Sequence, residues 1–366
     1  MRALALLVVA AFPRAAALVV YYNVFSKNVA TAVEIVYEQL TELRASPIWT
    51  EVEEIRYSTI GKGKMRNHVA RICREVNATC RRLGSHKTGH EERTLTPLHA
   101  YCQAHPEASV AYLHDKGSFR NVFNRSVRGR QKRLRQALLR GLGSVGCVAA
   151  ITQGDACDVC STHFTALPHQ RDAASPTPST RRGRDDSRRH AKGNMWLASC
   201  RYVATLLAPP AFQKGMDTYW GRLGFAISGP PAMQGTPWVG TGRYAMEHWV
   251  HSHPSVRPCD VSEKPLETLE DMIQLASGGW DSSVATAAPR IVAANPGAGE
   301  ALGERVRGPI PKNKRNLTTI MGEWRALYGA VPPESSLLLR KYRQMYGVPA
   351  PGRRLLRSGR RVANGD

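Results

Sequence analysis

Leu18-Val19-Val20-Tyr21-Tyr22, then Val29, Val33, Val36, Tyr37 and Leu40, then Ile55-Arg56-Tyr57-Ser58-Thr59-Ile60 together decide the fold class. The first run is β-branched and aromatic, the composition of a buried strand. The second set is spaced as one face of a helix. The third alternates like a strand and is stopped by Gly61. Strand, helix and strand in this order form a βαβ unit, which implies a mostly parallel sheet flanked by helices.

Downstream, Ala108 to Leu113 reads as another buried strand, ending at His114-Asp115-Lys116-Gly117. Ligands of open α/β sheets gather at the carboxyl ends of strands, so chemistry is expected there. Lys116 is suited to neutralising a diphosphate, Gly117 to a close backbone approach, and Asp115 to meeting a divalent ion. The competing reading is an ordinary strand-to-loop turn. Arg130 to Leu142 is a basic amphipathic helix with Leu134, Leu138 and Leu139 inward. His169 to Lys192 turns to Ser, Thr, Pro, Arg and Asp, an insertion loop expected to be disordered.

Order resumes at Gly193-Asn194-Met195-Trp196. Met195 to Leu207 has a helical pattern, for which Asn194 is a good N-cap, and the plain reading is a helix start with Trp196 buried. Functionally, amide N–H groups and Asn194 would face a polar ligand, with Trp196 as an apolar platform for a sugar ring. A Gly- and Pro-rich loop, 228–242, leads to a short helix over Ala245 to Val250. There Glu247-His248-Trp249 and His251-Ser252-His253 gather one acid and three imidazoles. Glu247 and His251 share a face if the helix continues, which suits a metal or a general base. The order does not match the His-Glu-x-x-His of zincins, and a solvated helix end is the plain alternative. Beyond Asp260 come scattered helical pieces, Leu266 to Leu275, Ile320 to Tyr328 and Ser335 to Tyr346, in a basic extension over 261–366.

The chain has 366 residues, enough for a full α/β core, and 42% hydrophobic residues, too many for overall disorder. Its net charge of +22 signals a polyanion, an anionic surface or an acidic ligand, or merely an arginine-rich solvated surface. Half of the excess lies from Arg305 to Asp366, where fourteen Lys or Arg face three acids; Lys116 to Arg140 adds nine basic residues and no acid. At the N-terminus, Met1-Arg2, an apolar run from Ala3 to Phe12 and Ala15-Ala16-Ala17 read as a signal peptide over 1–17, cleaved after Ala17 or kept as an anchor holding the chain at a membrane. The eight cysteines are an even number, and Asn77-Ala78-Thr79, Asn124-Arg125-Ser126 and Asn316-Leu317-Thr318 are glycosylation sequons. Together these favour the ER or Golgi lumen, or secretion. Cys157-Asp158-Val159-Cys160 has no second CxxC, so structural disulfides are expected rather than redox chemistry or zinc.

A strand ending Tyr112-x-His114-x-Lys116-Gly117, a following basic helix, Gly193-Asn194-Met195-Trp196, and a late helix with Glu247 and Trp249 resemble nucleotide-sugar glycosyltransferases of the polysaccharide-biosynthesis type. The resemblance covers residues 18–260 and implies a GT-A-like, Rossmann-type catalytic domain. It implies a donor and phosphate side at Tyr22, Asn23, His114, Asp115, Lys116 and Gly117. It further implies acceptor positioning by Gly193, Asn194, Trp196 and Trp249, with Glu247 as catalytic base. The partners implied are a nucleotide-sugar donor and a glycan acceptor, with no specific nucleic acid. The Asp-x-Asp that holds manganese or magnesium in many GT-A enzymes is absent. Asp115 with His251 and His253 is the substitute metal set, or Lys116 replaces the ion. The rival expectation is a secreted, non-enzymatic polyanion-binding protein.

Overall fold

The computed structural model describes residues 17–118, 125–152, 157–162, 164–166, 189–191, 193–222, 241–253, 256–261 and 290–291. The βαβ unit is present: Leu18–Ser26 forms β1, Val29–Arg44 α1 and Val52–Gly61 β2, with β1 and β2 parallel. Then Met65–Glu75 (α2), Cys80–His86 (β3), Glu92–Ala104 (α3) and Ser109–His114 (β4) continue the alternation. The basic helix α4 spans Arg125–Leu142 and α5 spans Val145–Thr152. The remaining elements are Val159–Ser161 (β5), Phe164–Ala166 (β6), Arg189–Ala191 (β7), Trp196–Ser199 (β8), Cys200–Val203 (α6), Pro209–Arg222 (α7), Ala245–Trp249 (α8), Pro258–Asp260 (β9) and Arg290–Ile291 (β10).

Among the described residues, eight strands form one sheet in the order β10-β9-β5-β8-β4-β1-β2-β3, and β6 pairs with β7 apart from it. Parallel pairing runs from β3 through β2 and β1 to β4 and also joins β5 to β9; β8 is antiparallel to both β4 and β5. Alternate residues of β1 feed two cores. Leu18, Val20, Tyr22 and Val24 pack with α1, α2, α4 and α5, while Val19 and Tyr21 pack with α3, α6, α7 and α8. Each large apolar side chain so buried contributes roughly 1.5–3 kcal/mol. Helices α1 and α2 thus lie on one face and α3 on the other, so the chain changes face between β1 and β4. That change opens a crevice at the carboxyl ends of these two strands.

Two sequence readings are corrected. Met195 to Leu207 is not one helix: Trp196–Ser199 is a strand, and the helix over Cys200–Val203 is capped by Ser199, whose side chain accepts from the Tyr202 amide. Trp196 and Ala198 fill one core and Leu197 the other, so the apolar run belongs to a strand covered on both faces, which periodicity alone cannot separate from a buried helix. The expected 169–192 loop contains a paired strand, Arg189–Ala191, which hydrogen-bonds to β6. Strand β10 lies beyond residue 260 and pairs with β9. The N-terminal signal, the rest of the insertion and the helical pieces expected in 261–366 lie outside the described residues.

All eight cysteines pair, as Cys73–Cys80, Cys102–Cys200, Cys147–Cys160 and Cys157–Cys259. Cys157 and Cys160 therefore bond to different partners and not to each other. Two bridges span 98 and 102 residues, and in the chain-entropy picture such loops contribute on the order of 4–5 kcal/mol each. Four disulfides point to an oxidising environment. Among the described residues, no helix is long and apolar enough to cross a membrane.

Candidate functional site

Three separated segments meet at the crevice between β1 and β4. Strand β4 and the turn after it deliver Tyr112, His114 and Lys116. The turn preceding β8 delivers Gly193 and Asn194, because β8 runs antiparallel to β4 with Trp196 opposite Tyr112. Helix α8 brings Glu247 in its first turn. Between them sits a residue that the sequence reading missed: Glu91, immediately before α3.

Glu91 is 9% exposed. Its Oε2 accepts from the Tyr112 hydroxyl at 3.1 Å and from the Asn194 side-chain amide. Both bonds favour the ionised form, as does the Lys116 cation. Burial and the neighbouring Glu247 charge prevail and push the Glu91 carboxyl up to about 7. Glu247 is only half-buried and is the solvent-facing member of this carboxylate pair.

Asn194 is the clamp. It adopts φ +48°, a left-handed conformation open to Asn at little cost, and follows Gly193 at φ +91°. A Cβ on Gly193 would sit 2.4 Å from Leu138 Cδ1 and 3.3 Å from Lys116 Cδ, so glycine answers both conformation and space. The double turn aims Asn194 Nδ2 at Glu91 and at the Met246 carbonyl, 3.3 Å away, beside Glu247. Its Oδ1 accepts from Trp196 Nε1 at 3.0 Å. One buried amide thus joins the β8 turn, the start of α3 and α8.

His114 donates its Nε2–H to the Gly193 carbonyl. Burial, then the Lys116 charge, hold its imidazole down at about 3, so it is neutral at physiological pH with the proton on Nε2. Gly117 has φ +96°, and Arg135 of α4 fixes this loop through Nη1 to the Lys116 carbonyl at 3.0 Å.

Several expected ligand contacts are instead struts. Tyr22 is fully buried and donates to Gln39 Oε1 at 2.7 Å, and Gln39 Nε2 donates to the His114 carbonyl at 3.2 Å. Asn23, also buried, accepts from Thr94 in the first turn of α3 at 2.8 Å. Trp196 and Trp249 are both 0% exposed. Trp196 stacks on Tyr112, centroids 5.3 Å apart, and Trp249 Nε1 donates to the Leu207 carbonyl at 2.7 Å. Neither tryptophan presents a face to a sugar ring; both hold the polar residues in place.

Asp115 is 2% exposed, and its Oδ1 accepts from the Phe25 amide at 2.9 Å. Burial pushes this carboxyl well above the usual range, against the Phe25 amide and the Ser118 hydroxyl. His253 packs edge-on against Tyr202, centroids 6.2 Å apart. Helix α8 ends at Trp249, so Glu247 and His251 do not share a helix face. Among the described residues no three His, Cys, Asp or Glu side chains gather as a metal site, so Asp115, His251 and His253 are not brought together as a ligand set. Lys116 brings positive charge to the crevice, and the Arg243 charge also reaches His114.

An open cleft of about 440 Å³ is lined by Glu92 of α3, the residue after Glu91, and by Lys214, Asp217 and Thr218 of α7. Asp217 Oδ1 accepts from the Gly242 amide at 2.6 Å, which ties this wall to the turn entering α8.

The three recognisable segments announced themselves by the order of polar residues at element ends. Glu91 did not, because an acid just before a helix reads as dipole compensation.

No curated protein matches the chain, and no solved structure does. A family profile matches residues 21–174 and 187–340; its interruption falls inside the polar insertion, and its second stretch continues past residue 260. The chain belongs to this family, described as a domain of unknown function, DUF8361.

Proposed function

We propose that the protein is a glycosyltransferase of the secretory pathway, moving a sugar from a nucleotide-sugar donor to a glycan hydroxyl. The observation that carries this reading is the convergence of Tyr112–Gly117, Gly193–Trp196 and Glu247 on one carboxylate pair with Lys116 beside it. Glycosyl transfer needs an acid–base group at the acceptor and positive charge at the departing diphosphate, and these residue types supply both.

In this reading Glu247, the solvent-facing carboxylate, takes the acceptor proton as the acceptor oxygen bonds to the anomeric carbon. The bond from that carbon to the diphosphate breaks, and Lys116 offsets the charge that leaves. Glu91 is a positioning residue: through the Asn194 clamp it holds α8 in place, and its own charge state near neutral pH sets the field at Glu247. Gly193 and the neutral His114 fix the loop that presents Lys116. The cleft between α3 and α7 would receive the acceptor, since carboxylates, a lysine and a threonine match sugar hydroxyls. A GT-A-like assignment of the fold and a requirement for manganese or magnesium belong to the same proposal, and no step above depends on the ion.

Polyanion binding has less support. Of the arginines on α4, Arg128, Arg135 and Arg140 are already paired with Glu34, Glu38 and Glu42 of α1.

The test is a thermal-shift screen of nucleoside diphosphates, with and without manganese, followed by transfer assays using the sugar nucleotides that bind. Glu247→Gln is expected to abolish transfer and keep the donor-induced shift. Absence of any nucleotide-induced shift, together with steeply salt-dependent polyanion binding that survives substitution of Asn194, Trp196 and Glu247, overturns the reading.

A further inference from the structure

We infer that Asn77 carries an N-linked glycan, displayed at the end of the molecule opposite the candidate site. Glycosylation at Asn77 requires passage through the secretory lumen, for which the four disulfides speak, and not the glycosyltransferase reading.

Of the three sequons, Asn77-Ala78-Thr79 is the one whose three residues all lie among the described residues. It occupies the turn between α2 and β3, closed by the Cys73–Cys80 bridge. Backbone bonds from Asn77 N to the Arg74 carbonyl (3.1 Å) and from Ala78 N to the Cys73 carbonyl (2.8 Å) fix the turn. Asn77 and Thr79 are both exposed. Asn77 has φ +53°, the left-handed conformation that ends many helices and that Asn tolerates. This backbone role accounts for an asparagine but not for the hydroxyl two residues later. Thr79 enters the sheet through its carbonyl, which accepts from the Ile55 amide at 2.8 Å, while its exposed side chain makes no hydrogen bond among the described residues.

The turn precedes β3, hence lies at the amino ends of the parallel strands, whereas Lys116, Asn194 and Glu247 lie at their carboxyl ends. A bulky glycan there adds a solvated cover to a basic surface and leaves the crevice open. The chemistry requires a lipid-diphosphate-linked oligosaccharide. Asn77 Nδ2 bonds to its anomeric carbon, the carbon–oxygen bond to the diphosphate breaks, the lipid diphosphate leaves with the electron pair, and one amide proton passes to a base of the transferring enzyme. Because the folded turn is tight and bridged, transfer must precede closure of Cys73–Cys80.

The experiment is secretion of the full chain, with its own N-terminus, from a eukaryotic cell. Reduction, trypsin digestion and peptide-N-glycosidase treatment in heavy-oxygen water follow. The peptide Glu75–Arg81 is expected with Asn77 converted to labelled aspartate. Asn77→Gln and Thr79→Ala are each expected to remove one glycan step in mobility, whereas Thr79→Ser keeps it in part. Recovery of this peptide with unmodified Asn77 overturns the proposal, whether the chain fails to reach the lumen or the turn closes first. Because the wild-type peptide is read directly, a variant that fails to fold does not rescue the proposal.

Discussion

Two glutamates on opposite faces of the sheet, the partly buried Glu38 and the buried Glu91, are treated differently. On the α1–α4 face, Glu38 meets Arg135 through two bonds, Nε to Oε1 at 3.1 Å and Nη2 to Oε2 at 2.8 Å. Flanking pairs, Glu34 with Arg128 and Glu42 with Arg140, make the face a ladder of matched charge. On the α3–α8 face, Glu91 is held by the neutral donors Tyr112 and Asn194 and faces a second acid, Glu247. A matched pair serves the fold. An acid left beside another acid works against the fold, and such sites concentrate where chemistry is done.

Glu247→Gln is expected to lower transfer by about 10²–10⁴-fold, the usual worth of a general base, with donor binding unchanged; kcat measured at saturating donor decides. Arg135→Met strands Glu38 and releases the Lys116 carbonyl. It is expected to cost about 3–5 kcal/mol in denaturant unfolding. By contrast, Glu91→Gln should change the pH dependence of stability more than stability itself. The wild-type carboxyl titrates near 4.5 unfolded and about 7 folded, so the folded state retains the proton longer. Stability is therefore lost as pH rises from about 4.5 to 7 and is flat above, a change of about 3 kcal/mol at most that the variant lacks. His114, held at about 3, acts oppositely, losing stability as pH falls from 6.5. It does so in both proteins and cancels in their difference. The smallest effect is expected from Trp196→Phe, which removes the donor to Asn194 Oδ1, about 1–2 kcal/mol by thermal unfolding.

The sequence made one face far more legible than the other. Helices α1 and α4 follow from spacing, β2 from alternation, and β1 and β4 from apolar runs buried on both faces. Strand β8 does not, since the four residues Trp196–Ser199 hold no β-branched side chain and show neither period nor strand composition. The same holds at the site. Lys116, Asn194 and Glu247 stand out as polar residues at element ends. Glu91 hides among acids that any helix start favours, and its partners come from residues 21 and 103 positions away. For Trp196 the sequence left open a buried position or a platform for a sugar ring, and only the packing of α3, α7 and α8 decides that. The Cys157–Cys259 pairing, 102 residues apart, depends on β5 and β9 becoming neighbours, and Cys102–Cys200 on α3 meeting α6, neither of which spacing shows.

The most direct measurement is a carbon-detected NMR titration of the glutamate side chains in the wild type and in Glu247→Gln. One buried glutamate, Glu91, is expected to show a midpoint near 7 that falls when the neighbouring charge is removed. Glutamates that all titrate in the ordinary carboxylate range, or a Glu91 midpoint unmoved by Glu247→Gln, would contradict the coupled pair on which the proposed chemistry rests.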